Sequence, residues 1–86
     1  MAGGFTQLGD AVARDLTERV VAALPGAAVD VVRGSGGHFA LTVRSGLFAG
    51  RSVVERQRLV YRAIAPLMAG PDAPVHAIDR LETLEA

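Results

Sequence analysis

The chain has 86 residues, of which 50% are hydrophobic and 21% charged, a balance that excludes intrinsic disorder and leaves room for one domain around one core. Its nine basic residues, all arginine, cancel nine acidic ones, so the summed field gives no general attraction to nucleic acid. Cysteine is absent, which excludes disulfides, thiol nucleophiles and thiolate metal sites, and no apolar run approaches the ~20 residues a membrane helix requires. The start, Met1 to Thr6, lacks the basic and apolar stretches of a signal peptide, which predicts a cytoplasmic protein. A single domain over residues 1–86 is expected, with its core between about 6 and 81 and loose ends.

From Thr6 to Leu24, Leu8, Val12, Leu16, Val20 and Leu24 recur every four positions, which predicts an amphipathic helix capped by Thr6 and stopped by Pro25-Gly26. Ala27 to Arg33 is rich in valine, and His38 to Ser45 alternates Phe39, Leu41 and Val43 with smaller or polar residues. The break between them, Gly34-Ser35-Gly36-Gly37, makes the pair a hairpin. Gly46 to Gly50 is a loop whose Leu47 and Phe48 are both expected to tuck inward.

Ser52-Val53-Val54-Glu55 has the spacing of a capping box and opens a second helix. Its buried side is predicted to carry Val53, Gln57, Val60, Tyr61, Ile64, Leu67 and Met68, with Pro66 kinking or shortening the last turn. After the turn Gly70 to Pro74, Val75 to Ile78 reads as a short third strand that runs into an acidic tail. Helix, strand, strand, helix, strand makes a two-layer α+β domain, with the helices on one face of a three-stranded sheet.

Four segments resemble the successive signatures of BolA-like proteins: Gly37-His38-Phe39; Ser45 to Gly50; Val54 to Tyr61; and Val75-His76-Ala77-Ile78. Gln57, Tyr61 and Pro66 resemble the YrbA-type subgroup in particular. The resemblance implies a KH-like αββαβ fold, similar to class II KH domains but without their G-x-x-G nucleic-acid loop. It also implies a non-enzymatic accessory protein of iron homeostasis, which shares a [2Fe-2S] cluster with a monothiol glutaredoxin. In such a complex the partner supplies its cysteine and a bound glutathione, so the isolated chain is expected to hold no cluster.

The strand histidine matching His76 is then a cluster ligand. The family's second ligand stands in the loop before the H-F pair, which is short here, and His38 lies near that place without matching it. Second ligand and plain surface strand residue are both open readings for His38. With cysteine absent, histidine is also the donor in the composition that suits iron and zinc at neutral pH.

Six arginines between Arg33 and Arg62 face a single acid, Glu55, so the middle of the chain is basic. Arg44, Arg51, Arg56, Arg58 and Arg62, with Tyr61, form the candidate surface for a partner or for nucleic acid, with Arg56 and Arg58 on the exposed part of the second helix. A KH-like nucleic-acid-binding transcription regulator, a role that the resemblance also implies, is the alternative function. Ser35, Ser45 and Ser52 have no His and Asp at catalytic spacing, and no glycine-rich loop carries a P-loop lysine, so neither an enzyme nor a small-molecule substrate is expected.

Overall fold

A computed structural model describes residues 8–86 of the chain. The elements follow the order α1 (Leu8–Ala23), β1 (Ala28–Arg33), β2 (His38–Ser45), α2 (Val53–Ile64) and β3 (Ala77–Glu85), with single 3₁₀ turns at Gly46–Phe48 and Ala65–Leu67. The expected helix start at Thr6 lies outside the described residues. At the other end of α1, the Ala27 N–H donates to the Leu24 carbonyl across Pro25-Gly26, turning the chain into β1.

The sheet order is β1-β2-β3. β1 and β2 pair antiparallel, whereas β2 and β3 pair parallel because α2 crosses between them. Side chains of a strand alternate between faces, so Val31, Leu41 and Leu81 form one row and Val29, Val43 and Thr83 the next. These rows meet both helices: Val12, Leu16, Val20 and Leu24 of α1, and Val60 and Ile64 of α2, are buried with Phe39, Leu41, Val43 and Phe48 in one core. The opposite face, with Asp30, Thr42 and Glu82 in a row, has no layer over it among the described residues.

α2 begins as the capping box predicts. Ser52 Oγ accepts from the Glu55 N–H at 3.1 Å, and the Glu55 carboxylate accepts from the Ser52 N–H at 2.8 Å. The second bond stabilises the ionised form, and Ser52 thereby holds the Glu55 carboxyl below its ordinary range. The helix ends at Ile64, and Pro66 sits in the 3₁₀ turn that follows, so the proline shortens the helix.

Three elements of the fold differ from the sequence reading. Leu47 is exposed while Phe48 is fully buried, because a 3₁₀ turn directs successive side chains apart and only one of the two can enter the core. On α2, Val53 and Tyr61 are exposed and the buried ridge is Val60, Ile64 and Leu67, with Leu59 and Ala63 packed beside it. The third strand starts at Ala77, two residues later than predicted, and runs on to Glu85, so the tail expected to be loose is paired with β2.

Candidate functional site at the sheet rim

β2 and β3 start side by side, and both histidines stand at that end of the sheet. His38 is opposite Ala77 in the parallel register. The Gly37 carbonyl accepts from the His76 N–H at 2.9 Å and from the Ala77 N–H at 3.4 Å, which ties His76 to the end of the glycine-rich turn.

Gly37 has φ +81, and a methyl group placed on it would stand 3.1 Å from His76 Cγ and 3.2 Å from the Pro74 carbonyl oxygen. Only glycine admits both the backbone angle and the close approach of the ring. The preceding Gly36 has φ +64 but open space where a methyl group would stand. The sequence therefore places glycine at the point where the His76 imidazole rests on the backbone.

His38 is held differently. Phe39 pairs with Ile78 but Ala40 pairs with Arg80, so Asp79 is an extra residue, a β-bulge in β3. Its carboxylate Oδ1 lies 2.8 Å from His38 Nδ1. Strand alternation puts Ala77 on the face that carries His38, so His76, one residue earlier, reaches the rim one step out of phase. Both imidazoles are exposed. Among the described residues no three His, Cys, Asp or Glu side chains are grouped so as to hold a metal ion. Beside the histidines, a shallow cleft of about 240 Å³ is lined by Val12, Arg33, the turn glycines 34, 36 and 37, Phe39 and Pro74.

The arginines separate into two groups. Arg56 Nη2 lies 2.7 Å from Glu85 Oε2, its Nε donates to the Arg51 carbonyl, and its guanidinium is 5.9 Å from the centre of the Phe48 ring. Arg44 Nη1 donates to the Glu85 carbonyl at 3.1 Å. These two fasten the end of β3, and Arg56, expected on the exposed part of the helix, has a side chain only 14% exposed. That correction follows from Glu85, which a tail read as loose could not bring to α2.

Arg51, Arg58 and Arg62 instead surround a cleft of about 200 Å³ with Glu55 and Leu59. Arg58 and Arg62 make no ion pair among the described residues. Tyr61 is partly exposed one position away from Arg62.

Sequence reasoning missed Asp79 and Glu85. Each meets its partner across the sheet or between layers, at separations of 41 residues for Asp79 and His38 and 29 for Glu85 and Arg56. No local pattern records such pairs. Two of the three serines weighed as nucleophiles have structural roles: Ser45 Oγ accepts from the Leu47 N–H and Ser52 Oγ from the Glu55 N–H. No helix among the described residues is long and apolar enough to cross a membrane.

Comparison with known proteins gives one family. The profile described as BolA-like protein matches residues 19–84. Among solved structures, a BolA-like protein from Babesia bovis is 29% identical with a TM-score of 0.64, covering 84% of this chain and 81% of its own. A BolA homologue from Coxiella burnetii is 26% identical with a TM-score of 0.67, covering 94% and 92%. BolA1 from Arabidopsis thaliana, at 23% identity and a TM-score of 0.63, covers 85% and 87% and shares the fold. No curated protein matches.

Proposed function

The chain belongs to the BolA-like family, and from that premise we propose that it is a non-enzymatic accessory protein that pairs with a monothiol glutaredoxin and shares a [2Fe-2S] cluster with it. The observation that carries this reading is the rim: two exposed imidazoles, one opening β2 and one just before β3, in a chain with no thiolate. Such a donor set fits part of a coordination shell and not a whole one, because no third ligating side chain is grouped with the histidines among the described residues. A partner's cysteine and a glutathione thiolate complete a shell of that kind. The cluster would supply one-electron chemistry or be handed on as cargo.

His76 is the first ligand in this proposal. Its backbone is anchored to the Gly37 carbonyl, and the absence of a side chain at Gly37 keeps the ring in place without closing it off from a partner. His38 is the second, at the start of the neighbouring strand. The partner surface extends to Arg51, Arg58, Arg62 and Tyr61; the three arginines outnumber the one carboxylate beside them, Glu55, and this excess positive charge favours fast association with an acidic protein. Arg44 and Arg56 act on this surface only by holding the strand end.

Co-expression with a monothiol glutaredoxin, followed by absorption spectroscopy and iron analysis, tests the reading. A red heterocomplex containing iron and sulfide is expected, and the chain alone should bind no cluster. Two colourless proteins that fail to associate would refute it.

A second reading, a DNA-binding regulator in the cytoplasm, is favoured by one observation, the cleft walled by Arg51, Arg58 and Arg62. It predicts binding to duplex DNA whose logarithm falls with log salt at a slope of about −0.9 per phosphate neutralised. Arg58→Ala or Arg62→Ala should then flatten the slope by about one each. Zero net charge ranks this reading second.

A further inference from the structure

The bulge in β3 stands beside His38 and carries a carboxylate that meets its ring. Asp79 is the extra residue between the Phe39–Ile78 and Ala40–Arg80 pairs, and its side chain meets His38 Nδ1 on the neighbouring strand at 2.8 Å. Both side chains are well exposed, 46% for His38 and 57% for Asp79, and an exposed pair of this kind contributes little to folding stability. Bulges concentrate where a side chain must be redirected for function. Among the described residues Asp79 is the one side-chain partner of the His38 ring, whereas the His76 ring is located by packing on Gly37.

We infer that Asp79 is a positioning residue for His38: its carboxylate accepts the Nδ1 proton, fixing the ring orientation and the tautomer in which the Nε2 lone pair faces outward as a metal donor. A neutral imidazole has one protonated and one free nitrogen, and the hydrogen bond made by the first decides which nitrogen can bind a metal. Carboxylates placed behind ligating histidines do this in metal sites generally, and their removal weakens metal binding about 10–100-fold. The inference rests on the reading of His38 as a ligand of the shared cluster.

Two measurements separate the inference from that reading. In the isolated, ¹⁵N-labelled protein, at a pH where the rings are neutral, long-range proton–nitrogen correlation should show His38 protonated at Nδ1 and free at Nε2. Asp79→Ala should move it toward the opposite tautomer while His76 stays unchanged. In the heterocomplex with a monothiol glutaredoxin, Asp79→Ala should alter the visible circular dichroism of the cluster and speed its loss about tenfold, within the range that such removals cause. In a His38→Ala background the same change should add nothing.

A His38 tautomer indifferent to Asp79→Ala overturns the inference directly. A cluster altered by His38→Ala but untouched by Asp79→Ala also overturns it, and leaves the ligand reading standing. A cluster untouched by His38→Ala removes the ligand reading of His38 and the inference with it.

Discussion

The parallel pair β2–β3 has two ends, built on opposite plans. At the far end, Ser45 pairs with Glu85, Arg44 and Arg56 both bind Glu85, and Phe48 is wedged beneath with none of its surface exposed. Polar groups there are satisfied within the chain. At the near end, His38 and His76 stand exposed beside a turn of three glycines, and the ladder is interrupted by a bulge. A chain of 86 residues buries only a little over about 60% of its unfolded surface, so it cannot close every edge. It closes the end that holds α2 to the sheet and leaves the other exposed.

If that contrast is right, substitutions at the closed end act on stability and substitutions at the open end act on the complex. The largest effect on folding is expected from Phe48→Ala, which empties a fully buried site and should cost about 3–5 kcal/mol in urea denaturation. A loss under 1 kcal/mol would show that the closed end is not closed.

Next come the two turn glycines, which separate backbone strain from close approach. Gly36→Ala should cost about 1–2 kcal/mol, the left-handed backbone alone, since nothing lies near its missing side chain. Gly37→Ala adds the clash with His76 and Pro74; it should cost more in stability and also displace the His76 ring resonances. Equal effects of the two variants would mean that the ring does not rest on Gly37.

A smaller contrast separates the arginines. Arg56→Ala should lower stability by about 1 kcal/mol through loss of its bonds to Glu85 and the Arg51 carbonyl. Arg58→Ala should stay within about 0.5 kcal/mol of the parent but slow association with the glutaredoxin several-fold at low salt. Stopped-flow association rates beside thermal melts check both.

The smallest effect concerns the cap of α2. The Glu55 carboxyl titrates below its ordinary value of 4.5 in the folded protein because the Ser52 N–H donates to its ionised form. A lowered folded value means that its stabilisation is present above the unfolded value and is lost as pH falls below about 4.5. Glu55→Gln should therefore lower stability slightly near neutrality, where the ionised carboxylate contributes, and flatten the profile in that acidic window so that variant and parent converge, as pH-dependent melts would register.

Particular residues explain what the sequence displayed and what it withheld. The four-residue spacing from Val12 to Leu24, the alternation from Phe39 to Val43 and the box from Ser52 to Glu55 are local patterns, and each marks the element found there. β3 was only half legible. The bulge at Asp79 shifts the alternation by one residue, so Ile78 and Leu81 no longer keep a period of two, and a strand looks like an acidic tail. At the rim the histidines could be named from their types and motif, but the means that hold them, Gly37 under one and Asp79 beside the other, come together only in the folded sheet.

The central claim is that His76 carries the link to the partner's cluster, and it is tested most directly by the His76→Ala variant co-expressed with a monothiol glutaredoxin. Because His76 is exposed and lies just before β3, the variant should fold and melt within about 0.5 kcal/mol of the parent. The iron content and visible circular dichroism of the complex are then the readout. The account predicts a cluster that is lost or spectroscopically altered; a folded variant that assembles an unchanged red heterocomplex would contradict it.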